Sequence, residues 1–67
     1  MAKVIRIQAH EVEAGDRIVI KQGSIRKFFP VCEFHQKGMD VTIVYRDPSG
    51  FVRLQKHAAD WVRVKDI

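Results

Sequence analysis

Apolar and polar residues alternate on both sides of one strong turn signal in the second half of the chain. The tetrapeptide Asp47-Pro48-Ser49-Gly50 combines a side chain that bonds its own backbone, a fixed φ and a residue that tolerates positive φ. With these four residues as the loop, the flanking segments pair as a β-hairpin. The predicted cross-strand pairs are Arg46 with Phe51, Tyr45 with Val52, Val44 with Arg53, and Ile43 with Leu54.

The two faces of this predicted hairpin differ in chemistry, because cross-strand partners share a face. The apolar face carries Ile43, Tyr45, Val52 and Leu54. The opposite face carries cations and an aromatic ring, and its residues are Thr42, Val44, Arg46, Phe51, Arg53 and Gln55. A slip of one residue would place Arg53 in the core, so the pattern itself selects the register.

Similar alternation predicts short strands over residues 3–10, 17–21 and 61–65. In the last of these, Val62 and Val64 face one way, whereas Trp61, Arg63 and Lys65 face the other. Residues 25–29 and 31–35 form either one bent strand or two short strands, because Pro30 cannot donate a hydrogen bond to a ladder.

These strands predict an all-β domain of five to six strands spanning residues 1–67. No segment keeps a 3.6-residue period long enough for a helix, and the helical candidates are single turns near residues 11–14 and 56–60. A sheet this small has to protect its edges, and closure into a small barrel is the expected solution.

Two segments resemble parts of SH3-like barrels. The sequence Val12-Glu13-Ala14-Gly15-Asp16-Arg17-Ile18-Val19-Ile20 looks like the turn, Gly-Asp pair and strand that begin such barrels. Residues 56–64 are similar to the short 3₁₀ turn that leads into their closing strand. The resemblance implies a small SH3-like barrel with one 3₁₀ turn before the last strand. The aromatic and proline residues of peptide-binding SH3 domains are not matched, so no ligand residues are carried over.

The tripeptide Lys56-His57-Ala58 is similar to the Lys-His-Ala sequence of bacterial Sm-like RNA-binding proteins. The chain departs from those proteins in having a β arm where they have an N-terminal helix. No residue role is carried over from this resemblance.

The chain is basic, with a formal net charge of +4 and a pI near 9.6. This charge favours an anionic partner, with nucleic acid as the commonest, although it also serves solubility. Rings that stack on bases and cations that neutralise phosphates are what single-stranded nucleic acid requires. The predicted residues for non-specific DNA or RNA binding are Arg17, Lys21, Lys27, Arg46, Phe51, Arg53, Trp61, Arg63 and Lys65. In the alternative interpretation, Trp61 seals the barrel and the arginines extend into solvent.

An apolar outer patch is the basis for a second function, a protein partner or self-association. Its predicted members are Val19, Phe29, Val31, Val44, Phe51 and Trp61. A patch of this size is typical of a protein contact. The prediction depends on the direction in which Phe29 and Val31 point on either side of Pro30.

Other chemistry has little support in the sequence. Cys32 and His35 are a single pair of candidate zinc ligands, and Cys32 is better interpreted as a small core residue, so no metal or cofactor is expected. The aspartates and glycines fall singly in turns, so we expect no enzymatic activity. No apolar run approaches the ~20 residues of a membrane span. A lone cysteine fits a reducing compartment, and the expected location is cytoplasmic.

Overall fold

Strands occupy most of the chain. The computed structural model describes residues 3–66, so Met1, Ala2 and Ile67, at the ends of the predicted domain, lie outside the described residues. In chain order the elements are β1 (Lys3–Gln8), a 3₁₀ turn (Ala9–Glu11), β2 (Arg17–Gln22), β3 (Ile25–Lys37), β4 (Asp40–Asp47), β5 (Gly50–His57) and β6 (Trp61–Asp66). They form one antiparallel sheet in the order β1-β6-β2-β3-β4-β5. The all-β class with six strands is confirmed.

The long strand β3 divides this sheet into two halves. Its residues 25–30 pair with β2, and its residues 31–37 pair with β4. Pro30 lies at the last pair with β2, where its missing N–H costs the ladder little. The segment is therefore one bent strand. We call β1, β6, β2 and residues 25–30 the first half-sheet, and residues 31–37, β4 and β5 the second half-sheet.

The register predicted for the hairpin is confirmed. Strands β4 and β5 pair as Arg46 with Phe51, Tyr45 with Val52, Val44 with Arg53, and Ile43 with Leu54. In the turn, Asp47 Oδ1 accepts hydrogen bonds from the Ser49 backbone N–H at 2.8 Å and from the Ser49 hydroxyl at 2.6 Å. Gly50 has a φ of 126°, which side-chain-bearing residues rarely adopt.

The core lies between the inner faces of the two half-sheets. The buried residues of this core are Ala9, Val12, Ile18, Phe29, Val31, Val41, Ile43, Tyr45, Ala58, Val62 and Val64. The rings of Phe29 and Tyr45 stack across the bend, with centroids 5.5 Å apart. Val31 is held at the bend by hydrogen bonds from its N–H to Asp16 O (2.8 Å) and from the Gly15 N–H to its O (3.0 Å).

Two finer expectations about the fold are not met. The closure into a barrel is not confirmed, because the sheet is open, with β1 and β5 at its edges. Within residues 3–66 the 3₁₀ turn is found at Ala9–Glu11, not before the last strand. The connection before β6 is a turn in which the Asp60 N–H donates to His57 O at 2.9 Å. The Asp60 carboxylate accepts a hydrogen bond from the His57 N–H, and this bond closes the turn.

A β-bulge explains why several residues face the opposite way from the prediction. The β3–β4 register shifts between Val31 and Glu33, so Cys32 is an extra residue and the alternation inverts there. Phe29 and Val31, predicted on the outer face, are buried, whereas Cys32, predicted in the core, is exposed. Val44, also predicted in the outer patch, is buried on the central strand of its half-sheet, between β3 and β5.

Candidate nucleic-acid interface

Most of the positively charged side chains of the first half-sheet lie on its outer face. Val62 and Val64 are buried, so alternation along β6 sends Trp61, Arg63 and Lys65 outward. In the same way, burial of Ile18 sends Arg17, Val19 and Lys21 outward from β2. The register adds side chains from the neighbouring strands, because Arg6 is opposite Arg63, Phe28 is opposite Val19, and Arg26 is opposite Lys21.

We call this surface the cationic face. Its members are Arg6, Arg17, Lys21, Arg26, Arg63, Lys65, Trp61 and Phe28. None of the outward positions on these strands, among the residues described, carries a carboxylate. The acidic residue at the end of β6, Asp66, pairs with Lys3 on the opposite parity. The cationic face therefore attracts anions without an internal acid to neutralise it.

Cations from other strands of the first half-sheet lie over the rings of this face. The Arg6 guanidinium carbon lies 5.3 Å from the centroid of the Trp61 ring, and the Lys65 ammonium lies 5.9 Å from that of Phe28. Such contacts are attractive because the ring face is electron-rich. Trp61 nevertheless remains 56% exposed, whereas Phe28 is half-buried. Trp61 is thus the ring of the cationic face that is open to a ligand.

Four of the predicted binding residues lie elsewhere. The outer face of the second half-sheet carries Arg46, Phe51 and Arg53. There the guanidinium carbon of Arg46 lies 5.9 Å from the centroid of the Phe51 ring. That face also carries Glu33. Lys27 is the cross-strand partner of the inward-facing Ile20. The structure therefore brings together five of the nine predicted residues and separates the rest, and the five are Arg17, Lys21, Trp61, Arg63 and Lys65.

Three members of the cationic face were missed by sequence reasoning. Arg6 joins it through the pairing of β1 with β6, which connects the two ends of the described chain. The alternation along β1 predicts that Arg6 points outward, but it does not indicate which residues of other strands lie beside Arg6. Arg26 and Phe28 were missed because the bulge in β3 inverts the alternation.

A cleft opens beside Trp61. Among the described residues, β2 and β6 pair at one position, Ile18 with Val64, and beyond it the two strands border a cleft of about 460 Å³. Its apolar lining is Ile18, Val19, Ile20, Leu54 and Val62, and its polar and aromatic lining is Arg6, Lys56, Arg63 and Trp61. The cleft thus has an apolar floor and a basic, aromatic mouth.

Ionisable side chains elsewhere form no compact reactive group. Within residues 3–66, no three His, Cys, Asp or Glu side chains come together as metal ligands would. Cys32 is exposed with its Sγ 3.8 Å from Pro30 O, and His35 lies 3.9 Å from Glu33. Burial, and next the charge of Asp47, raise the pKa of Tyr45 above its usual value. The described part of the chain also holds no helix long and apolar enough to span a bilayer.

Comparisons of this chain with known protein families, with curated proteins and with solved structures find no match. The function proposed next rests on the residues of the chain itself.

Proposed function

We propose that this protein is a non-enzymatic binding protein whose cationic face binds DNA or RNA without sequence specificity. The observation that carries the proposal is the cationic face itself, where arginine and lysine surround the exposed ring of Trp61 and none of the described outward residues is acidic. The cations neutralise phosphates, and the ring stacks on a base. A sheet face of this composition suits a flexible single strand.

We also propose that the bent sheet is an open form of an SH3-like barrel. Leu54 and Lys56 of the edge strand β5 line the same cleft as Val62 and Arg63 of β6. The inner side of β5 therefore faces the first half-sheet across this cleft, and no strand ladder joins the two among the residues described. This arrangement supports a barrel-like core around which the cationic face is displayed.

A protein partner or self-association is the second candidate. It requires a continuous apolar outer patch, yet Phe29, Val31 and Val44 are buried. The remaining large rings, Phe51 and Trp61, lie on different half-sheets. We therefore propose nucleic acid in preference to a protein partner.

The test is a binding titration with single-stranded DNA and RNA at about 50 mM and about 200 mM salt. The chain offers matched control variants, because each half-sheet has an exposed ring under an arginine. We expect Trp61→Ala and Arg63→Ala to weaken binding. Loss of the ring should cost about 1–3 kcal/mol. Loss of one phosphate contact should reduce the slope of log affinity against log salt by about 0.7.

The controls Phe51→Ala and Arg53→Ala should bind like the wild type, because they lie on the other half-sheet. Absence of binding at the lower salt concentration would contradict the proposal. Equal losses from both pairs of variants would show that binding is not a property of the cationic face.

A further inference from the structure

The cleft between β2 and β6 exists because their ladder stops early. Strand β6 pairs with β1 along its whole length, but with β2 it pairs at Ile18 and Val64 alone among the residues described. Beyond this pair, Ile20 of β2 and Val62 of β6 line the cleft.

The dimensions and lining of the cleft fit a small planar ligand. Its volume of about 460 Å³ lies within the roughly 300–1,000 Å³ of small-ligand sites. Ile18, Ile20, Leu54 and Val62 supply an apolar floor. Trp61 supplies an aromatic wall. A planar ring with apolar faces matches a cleft that has an apolar floor and an aromatic wall.

The charge around the mouth restricts what kind of planar ligand is favoured. Arg6, Lys56 and Arg63 line the cleft, and no acidic residue is among its described lining. These cations suit the phosphates on either side of a base in a nucleic-acid strand. The Arg6 guanidinium, which already stacks on Trp61, belongs to a group that also stacks on bases.

We propose that this cleft receives one unstacked base of a single-stranded nucleic acid, with Trp61 as its aromatic wall. The inference rests on the nucleic-acid binding proposed above and adds the form of the ligand. A duplex would have to break a base pair to fill the cleft, at a cost of a few kcal/mol. The cleft therefore selects single strands over duplexes, which phosphate contacts alone do not.

The test compares two strands that carry the same phosphates. One is an oligothymidylate of about 12 nucleotides, within the site sizes of small single-strand binders, and the other has every base replaced by an abasic site. We expect the abasic strand to bind the wild-type protein at least about fivefold more weakly, the smallest loss expected for one stacked base. Equal affinity for the two strands would overturn the cleft proposal, and a steep salt dependence would leave the phosphate-binding function standing. If neither strand binds, the proposed function itself fails.

A cleft-filling variant separates insertion from stacking on the open surface of Trp61. Ile20→Phe places a ring in the cleft, and Ile25→Phe is the matched control, because Ile25 is 60% exposed and does not line the cleft. We expect the discrimination against the abasic strand to vanish in Ile20→Phe and to persist in Ile25→Phe. If circular dichroism shows that Ile20→Phe is not folded, Leu54→Phe is the second variant, because it fills the cleft from β5. Discrimination that persists in a folded, filled variant would overturn the proposal.

Discussion

Each strongly exposed aromatic side chain of this protein lies beneath an arginine from a neighbouring strand. The guanidinium carbon of Arg6 lies 5.3 Å from the centroid of the Trp61 ring, and that of Arg46 lies 5.9 Å from the centroid of the Phe51 ring. The two rings differ in their surroundings. Trp61 borders the cleft among further cations, whereas Phe51 shares its face with Glu33. A base with its phosphates is therefore favoured at Trp61, although both rings satisfy the same local sequence pattern.

Also at the scale of the residue, Ser49 sets the ionisation of Asp47. The hydrogen bond from the Ser49 hydroxyl is the largest cause of a lowered pKa of Asp47, whose ordinary value is 3.8, and bonds from the backbone N–H groups of Ser49 and Gly50 and the charge of Lys27 add to it. A carboxylate with a depressed folded-state pKa stabilises the fold above its unfolded-state pKa. That stabilisation is lost as the pH falls through the folded-state pKa.

We predict that Ser49→Ala raises the pKa of Asp47 part of the way back to 3.8, since the backbone bonds remain. The acid-induced loss of turn stability then becomes smaller and is complete at a higher pH. Titration of the Asp47 carboxyl carbon by NMR measures the shift. Ser24→Ala, in the turn between β2 and β3, is the control and should leave Asp47 unchanged. An unaltered Asp47 pKa in Ser49→Ala would refute the assignment.

At the scale of the element, the hairpin and β3 show what local sequence can and cannot determine. The β4–β5 register follows from one turn and one alternating pattern, and both depend only on residues close together in the sequence. The orientation of β3 depends on a bulge at Cys32, which forms where the strand leaves β2 and pairs with β4. Pro30 indicates an irregularity in this strand, but the local pattern does not show that a residue is added at Cys32, so Phe29 and Val31 were predicted on the wrong face.

Two adjacent phenylalanines test this orientation. Phe29 is buried against Tyr45, so Phe29→Ala should destabilise the protein by about 3–5 kcal/mol and can unfold a domain of this size. Phe28→Ala should leave the protein folded, because Phe28 lies half-buried on the cationic face, and should weaken nucleic-acid binding. Urea denaturation and the binding titration provide the measurements. A larger loss of stability from Phe28→Ala than from Phe29→Ala would show that the alternation along β3 is the reverse.

At the scale of the whole molecule, the proposed function depends on how a modest net charge is distributed. The formal net charge is +4, yet the cationic face has no carboxylate among the outward residues described. The acidic residues lie on the second half-sheet, in turns and at the end of β6. Sequence reasoning found the cations and rings but treated them as one surface. The division into two faces depends on the bend in β3 and on the pairing of β1 with β6, contacts between distant parts of the chain that local alternation does not encode.

The most direct test of the central claim is an NMR titration of the ¹⁵N-labelled protein with a single-stranded oligonucleotide at low salt. We predict that the backbone shifts concentrate on the strands of the cationic face, around Arg6, Lys21, Trp61 and Arg63. The resonances of Arg46 and Phe51 should move little, because they lie on the second half-sheet. Shifts centred on Phe51, or no shifts at all, would contradict the account.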